Sequence, residues 1–431
     1  MGADLDHVET LVEQSLLKRL GDERFFLLET LREYARERLD GSGETDEYAL
    51  RHARWYLERL EDNFPTMRDG HAGDLITWFV SEEDNLRAML TVLAAASPAD
   101  AARAARLLFM YWKSRGAYGE IRQRFTTVLE HPDVTDRARA ELFGLLSDAE
   151  LMVGDLDASE AAARQSLSLA EPGSGIRAYA LLGLAMVAGA RADPEAVPLG
   201  REVLAELGAL DDWRRVTTRM DVAVVFMDAG LREEARTMFM EASDEARRLG
   251  NALLVNLVEN NACWLDLLER RYDAAEKMLR SVLEFERRHG RADWEADTVR
   301  GLGFALLGLG RRAEARAALM SSLEILAADP SPTVDLTATL RGIALATEPA
   351  DVRSAARLAG AVAAVQQNVR LTESPTVREL RRRFEQSLIE ALGEDEWERE
   401  QAAGAGLTLE EAIELARALA TSTPETTPHS A

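Results

Sequence analysis

The stretch Gly230-Leu-Arg-Glu-Glu-Ala235 predicts the fold, because it returns twice, as Arg270-Arg-Tyr-Asp-Ala-Ala275 and as Gly310-Arg-Arg-Ala-Glu-Ala315. The closing alanines are 40 residues apart each time. Weaker copies, at spacings of 37 to 40 residues, end at Ile121, Ser159, Ala196 and Ala355. A fixed period of this length is typical of stacked repeats, in which each unit buries its apolar face against its neighbours. The sequence therefore predicts an all-α solenoid of helical hairpins.

The helices of such a hairpin cross closely, and the crossing needs small side chains. Twelve positions before a repeat's closing residue, the sequence has Ser147, Ala223, Cys263 and Gly303. We predict that these small residues pack against the second-helix positions Ser159, Ala196, Ala235, Ala275, Ala315 and Ala355. Since Cys263 occupies the same position as Gly303, the pattern favours a small buried hydrophobe over a reactive thiol.

The composition supports a long helical core. Of 431 residues, 47% are hydrophobic but only 6% are aromatic, which is typical of helices that pack through small side chains. No proline occurs between Pro198 and Pro330, and the absence of the strongest helix breaker favours continuous hairpins. The clearest internal break is Glu171-Pro-Gly-Ser-Gly175, for which we predict an inter-repeat loop rather than a subdomain hinge.

Charge and cysteine usage limit the partners and the compartment. The formal net charge of −24 opposes binding of the bulk of the chain to the phosphate backbone of nucleic acids. Cys263 is the single cysteine, so no internal disulfide can form, and we expect a reducing, cytoplasmic environment. The sequence has no run of about 18 apolar residues and no basic N-terminal segment before an apolar run, so we expect neither a membrane span nor a signal peptide.

The N-terminal residues predict a small mixed segment. Residues 4–20 carry an apolar helical stripe, and Gly21-Asp22 lies between two short apolar runs, as in a β-hairpin. Residues 29–39 predict a second helix. Helix, hairpin and helix in this order are typical of the last part of a winged-helix domain.

Five stretches resemble one known family. Arg24-Phe-Phe-Leu-Leu-Glu-Thr-Leu-Arg-Glu-Tyr-Ala-Arg-Glu-Arg-Leu39 resembles the stretch that closes the winged-helix domain of bacterial signal-transduction ATPase regulators of the LuxR/AfsR-like type. Arg51–Leu57 resembles the family's next helix, and Glu83–Ala88 resembles the helix that leads into its repeats. Near the other end, Ala355–Ala361 and Leu407–Ala412 resemble the family's closing segments.

The resemblance implies a tetratricopeptide-like, right-handed solenoid that acts as the sensor arm of a transcriptional regulator. In the family a nucleotide-binding domain precedes the winged helix, but this chain has no Gly-x-x-x-x-Gly-Lys-Ser/Thr phosphate loop. We expect a sensor arm without its ATPase, and a stand-alone relative, a decayed gene and an expressed fragment all stay open. The expected partner is another protein or the missing ATPase domain, with a small-molecule or peptide signal. A truncated winged helix would also expose apolar surface that favours a homodimer.

These observations divide the chain into five predicted parts. They are a partial winged-helix domain at 1–43, bridging helices at 44–100, about seven tetratricopeptide-like repeats at 101–365, capping helices at 366–420 and a disordered tail at 421–431. The tail is rich in Thr, Ser and Pro, which is typical of disordered termini.

The first helix of each repeat is expected to line the concave groove of the solenoid. In the 40-residue register, we predict that this face carries Met220, Val224, Asn256, Asn260, Trp264, Arg300 and Phe304. Trp264 and Phe304 fit a core role equally well. Asn260 and Arg300 are predicted to contact a partner, since a polar side chain on this face contributes little to a core and Arg is a favoured interface anchor.

We therefore predict a non-enzymatic scaffold or sensor that regulates transcription by binding a protein or small-molecule signal. The six histidines share no metal-ligand spacing, and the Gly301-x-Gly303 pattern lacks the preceding strand that a dinucleotide site needs, so we predict no metal and no cofactor. The alternative is a DNA-binding regulator that acts through the winged-helix remnant. Residues 1–40 carry ten acidic and six basic side chains, and this acidic balance argues against DNA contact.

Overall fold

The computed structural model describes residues 5–20, 24–65, 72–289, 292–327, 333–347, 351–369 and 371–421. In this part of the chain there are 22 α-helices and one two-stranded sheet, which confirms the prediction of an all-α helical solenoid with a small N-terminal hairpin. Two predicted features, the turn at Gly21-Asp22 and residues 422–431 of the tail, lie outside the described residues. None of the described helices is long and apolar enough to cross a bilayer.

The N-terminal segment has the predicted order of elements: α1 (Leu5–Glu13), β1 (Leu17–Leu20), β2 (Arg24–Leu27) and α2 (Glu29–Ser42). The two strands are antiparallel, with Leu17 opposite Leu27. The predicted helix over 4–20 was too long, because α1 ends at Glu13 and Ser15 takes a left-handed φ of 59°. A residue in this conformation interrupts an α-helix, and the chain turns into β1.

Three helices connect this segment to the solenoid: α3 (Thr45–Asn63), α4 (Ala72–Ser81) and α5 (Glu83–Ala96). Phe79 of α4 stacks on Tyr111, with ring centroids 4.6 Å apart. Leu60 and Leu90 are fully buried in the same hydrophobic cluster, which continues to Ala149. The connecting helices therefore share a core with the first repeats.

Seven helical hairpins follow within the described residues. Their helices are α6 (Pro98–Ser114), α7 (Tyr118–Leu129), α8 (Asp136–Met152), α9 (Leu156–Leu169), α10 (Gly175–Ala190), α11 (Ala196–Ala205), α12 (Asp212–Asp228), α13 (Arg232–Arg248), α14 (Ala252–Leu268), α15 (Tyr272–Arg288), α16 (Ala292–Gly308), α17 (Arg312–Leu326), α18 (Val334–Leu345) and α19 (Val352–Asn368). The even-numbered helices are the first helices of the hairpins. A second hydrophobic cluster runs from Leu181 to the C-terminal helices.

The recurring turn has a backbone explanation. Gly230 and Gly310 end their helices with left-handed φ values of 81° and 75°. The amide of the next residue then bonds the carbonyl five residues back, as from Leu231 to Phe226 at 2.8 Å. This is the hydrogen-bond pattern of a Schellman cap, and glycine adopts the required conformation without strain. The glycine that begins the recurring motif therefore ends the first helix of its repeat.

Arg270 breaks this rule and gives a stability prediction. It occupies the glycine position of its repeat with φ at 60°, and its side chain is exposed and forms no ion pair among the described residues. A non-glycine residue in the left-handed conformation costs about 1–2 kcal/mol of stability. Glycine avoids this cost but cancels part of the gain, because it loses more conformational entropy on folding. Arg270→Gly is therefore expected to raise the free energy of unfolding by about 1 kcal/mol in urea denaturation. The reverse change, Gly230→Arg, should lower it, and equal stabilities for the two variants would contradict this explanation.

The structure buries all ten residues predicted for the helix crossings. Six of them are wholly buried: Ala223, Ala235, Cys263, Ala275, Ala315 and Ala355. Three more have an exposed fraction of at most 1%: Ser147, Ser159 and Ala196. Ser147 and Ser159 face each other across their hairpin, with hydroxyl oxygens 3.1 Å apart. A Cβ atom at Gly303 would lie 2.6 Å from Cγ of Leu319, so this crossing has no room for a larger side chain.

Three more helices complete the described chain: α20 (Pro375–Leu392), α21 (Glu394–Gly404) and α22 (Leu409–Thr421). Helix α21 packs directly on α19, and α22 packs on α17, α18 and α19. Helix α20 instead crosses back over α12, α14 and α18. This return path closes one side of the solenoid and shapes the site described next.

Candidate ligand channel

The inner side of the solenoid is a channel that holds a cavity of about 250 Å³. Its walls come from the first helices α8, α10, α12, α14, α16 and α18, from Leu156 at the start of α9 and from residues 372–377. Much of the wall is apolar, with Met152, Met186, Val224, Trp264 and Val377. The charged and amide groups at the cavity are Asp228, Asn261, Asp297, Arg300 and Asp335.

Residues 371–384, called the closing segment here, form one end of the cavity. The Thr376 amide donates to Asp228 Oδ1 at 3.0 Å. Arg383 donates to the carbonyls of Leu267 and Leu268, at 3.0 and 2.9 Å, where α14 ends. The two Arg383 bonds reach carbonyls in the last turn of α14, where the end of a helix leaves acceptors available. The closing segment is therefore fixed by polar contacts to the ends of first helices.

Three of the predicted groove residues, Val224, Trp264 and Arg300, line this cavity. Arg300 is only 6% exposed and pairs with Asp297 and with Asp335, the latter at 2.6 Å. Its guanidinium carbon lies 5.4 Å from the Trp264 ring centroid. Burial alone would lower the pKa of Arg300, but the charges of the two carboxylates outweigh it and raise this pKa. Arg300 is thus a fixed cation that joins α16 to α18.

The other predicted groove residues lie behind the wall. Met220 and Phe304 are buried in the core. The Asn256 amide donates to the Val282 carbonyl at 3.1 Å, and the Asn260 amide donates to Asp297 Oδ2 at 2.8 Å. Asn260 therefore positions a carboxylate of the cavity, and direct contact between Asn260 and a partner stays a prediction.

Sequence reasoning missed the acidic part of the channel. Asp148 directly follows Ser147 in the repeat register, as Val224 follows Ala223, so the register could have found it. Lys113 Nζ lies 2.7 and 2.9 Å from the two Asp148 carboxylate oxygens, and the Tyr179 hydroxyl donates to Asp148 at 3.0 Å. These contacts form a charged layer beside the cavity.

Asp221 lies in the same charged layer. Burial raises the pKa of Asp221 to about 7, while the charge of Lys113 lowers it and that of Asp148 raises it further. No single-residue pattern marks this aspartate, because its surroundings come from three different repeats.

The thiol of Cys263 lies in the core rather than at the channel surface. Cys263 is wholly buried and donates to the Glu259 carbonyl at 3.1 Å. Burial and nearby carboxylates raise the pKa of its thiol well above the ordinary value, which disfavours the nucleophilic thiolate. In the part of the chain that the structure describes, no cluster of His, Cys, Asp and Glu could hold a metal ion.

No protein-family model and no curated protein matches the chain. Among solved structures, a Rap protein complexed with competence and sporulation factor is similar, with a TM-score of 0.52 at 13% identity over 87% of this chain and 99% of that chain. This likeness shows the fold, a tetratricopeptide-like helical solenoid.

Two further solved structures are less similar. A Signal Transduction ATPase with Numerous Domains (STAND) protein with a tetratricopeptide repeat sensor, from Pyrococcus horikoshii, has a TM-score of 0.41 at 13% identity over 92% of this chain. The match spans 60% of that protein's length. The apo form of RapI has a TM-score of 0.38 at 14% identity over 79% of this chain and 97% of that chain.

Proposed function

We propose that this chain is a non-enzymatic binding module that receives a peptide segment of a partner in its channel. The observation that carries the proposal is the cavity of about 250 Å³, which combines apolar walls with a few charged groups in fixed positions. Concave sites of this composition are the usual ligand sites of proteins. The volume lies just below the range of about 300–1,000 Å³ for drug-sized ligands, so it suits one or two side chains at a time.

We further propose that the module is the sensor arm of a bacterial transcriptional regulator of the LuxR/AfsR-like signal-transduction ATPase type. The sequence resemblance supports this, and so does the surface of the N-terminal segment. Phe25, Phe26 and Tyr34 are 47%, 43% and 60% exposed, and no residue of α2 is buried. Exposed apolar patches mark protein interaction sites. In this proposal the segment is a winged-helix remnant that contacts an ATPase domain or a second copy.

The binding proposal is tested by selecting a randomised heptapeptide library on the purified chain. Enriched peptides are expected to bind at least about tenfold more weakly to Asn261→Trp. Asn261 lines the cavity, and its amide donates to the Leu257 carbonyl of its own helix at 3.0 Å. The indole would therefore fill the cavity without removing a contact between helices. Fluorescence anisotropy of labelled peptides measures the affinity.

The matched control is Met240→Trp, which places the same ring on the second helix α13, where Met240 is 62% exposed. Peptide affinity should stay unchanged in this variant. Failure to enrich any peptide, or equal affinity for Asn261→Trp and the unchanged chain, would refute binding in the channel.

A further inference from the structure

Asp221 is a carboxylate that the fold leaves without a partner in the channel. It lies on α12, one turn before Val224 and Val225 and two turns before Asp228, all three of which line the cavity. Positions i, i+3, i+4 and i+7 share one helix face, so Asp221 faces the same channel about 5 Å further along. Among the described residues, none forms a hydrogen bond or an ion pair with Asp221.

The groups that face Asp221 compensate its negative charge only in part. Among the described residues of this layer, Lys113 supplies the ammonium group near Asp221. Its Nζ already lies 2.9 and 2.7 Å from the two carboxylate oxygens of Asp148. Tyr179 donates its hydroxyl to Asp148 as well. Asp335 of α18 also lies within electrostatic reach of Lys113, but its carboxylate pairs with Arg300 at 2.6 Å. Lys113 therefore contacts Asp148 directly and acts on Asp221 only through its charge.

The surroundings of Asp221 disfavour the ionised form of its carboxyl. Burial raises the pKa of its carboxyl to about 7, against the charge of Lys113, which lowers it, and with that of Asp148, which raises it. Asp221 is half-buried. A carboxylate with reduced access to water and no directly paired cation is costly to ionise, and a ligand cation would relieve that cost. Groups perturbed in this way gather at binding sites.

We infer that the channel takes an extended peptide segment with a basic side chain near an apolar one, and that Asp221 receives the ammonium or guanidinium group. The inference rests on the proposed binding function and names the ligand's chemistry. Charge complementarity selects this occupant over an acidic or neutral one. Around the channel five carboxylates, at positions 148, 221, 228, 297 and 335, lie near the basic side chains of Lys113, Arg300 and Arg378.

The spacing of the two features suggests a register for the ligand. Asp221 lies about 5 Å from the nearer wall of the cavity, which Val224 forms. Side chains on one face of an extended chain repeat every two residues, or about 6.6 Å. A basic residue two positions from an apolar residue therefore places the apolar group in the cavity when the cation is at Asp221.

The test uses the peptides enriched in the library selection, synthesised with acetylated N-termini so that only side chains carry positive charge. We expect the enriched peptides to share a Lys or Arg that lies two positions from an apolar residue. Asp221→Asn should weaken binding by about tenfold or more, the usual scale for losing a charge-assisted hydrogen bond. Asp221→Glu keeps the charge and should recover part of the affinity.

The number of protons released on peptide binding distinguishes a carboxylate that binds the ligand from one with a structural role only. A cation at Asp221 favours the ionised carboxylate, so at pH 7 the unchanged chain should release about half a proton per bound peptide. Calorimetry in phosphate and in Tris, whose ionisation enthalpies differ, measures that release. It should vanish in Asp221→Asn.

The possible outcomes distinguish this inference from the proposed function. Peptides without basic residues that are sensitive to Asn261→Trp but not to Asp221→Asn would overturn the inference and leave channel binding intact. Basic peptides that bind without proton release, equally well to Asp221→Asn, would also overturn it. No enrichment of any peptide would overturn both proposals.

Discussion

Gly404→Ala is expected to detach the last two helices from the solenoid. A Cβ atom at Gly404 would lie 1.9 Å from the carbonyl oxygen of Arg357 on α19, and one at Gly360 would lie 2.0 Å from that of Gln401 on α21. The two helices thus cross backbone against backbone. Because the atoms that an alanine methyl meets belong to helix backbones, no side-chain rotation can make room, and α21 must move outward.

Moving α21 outward also disturbs the packing of α21 and α22 against the solenoid. Helices α21 and α22 bury Trp397, Ile413 and Leu419 against the solenoid. Overpacking a core costs about 1–3 kcal/mol, and a clash with backbone falls at the upper end of that range or beyond it. We expect a loss of about 3 kcal/mol, because the gain in helix propensity from alanine offsets at most about 1 kcal/mol. Urea denaturation measures the loss, and hydrogen exchange should show α21 and α22 opening first.

Gly406→Ala is the matched control for this variant. Gly406 lies two residues further along, and a Cβ atom there would meet no other atom within 4 Å. Its stability should stay within about 0.5 kcal/mol of that of the unchanged chain. If Gly404→Ala proved as stable as Gly406→Ala, the close crossing of α19 and α21 would be wrong.

The repeats were predictable from the sequence because their determinants are local. A left-handed residue ends the first helix and a small residue permits the crossing, and both recur every 40 residues or so. The length of the first helix was not predictable in this way. Leu16 and Leu17 continue its apolar stripe, and only the backbone turn at Ser15 shows that they lie beyond the helix.

The channel was less predictable, since its parts meet only after the solenoid curves. The Thr376 amide reaches Asp228 across 148 residues, and nothing in either local sequence indicates the contact. The register still identified Val224, Trp264 and Arg300 as first-helix residues of the groove, and all three line the cavity. Asp221 escaped notice because its environment, with Lys113 and Asp148 from other repeats, depends on the curvature.

Asp221→Asn is expected to stabilise the protein above pH 7. Burial raises the pKa of Asp221 from its ordinary value near 3.8 to about 7. Above pH 7 the folded protein therefore carries a charge that its surroundings disfavour, and asparagine removes that charge. Each pKa unit corresponds to about 1.4 kcal/mol, which sets an upper limit on the order of 4 kcal/mol. The carboxylate is partly open to the channel, so we expect a gain of about 1–3 kcal/mol.

The pH dependence of this gain carries the sharper test. Between about pH 4 and pH 7 the folded state binds more protons at Asp221 than the unfolded state, so the unchanged chain loses stability as the pH rises. Asn cannot ionise, so the difference in unfolding free energy between Asp221→Asn and the unchanged chain should grow across this window and level off above pH 8.

Asp62→Asn, which removes an exposed carboxylate of α3, is the control for the loss of one surface charge, and its effect on the unfolding free energy should stay within about 0.5 kcal/mol. A flat difference for Asp221→Asn would mean that its carboxylate is solvated or already paired, and the cation site would lose its physical basis. A rising difference would mean that the chain retains a destabilising charge in its channel, as expected where binding rather than folding selects the residue.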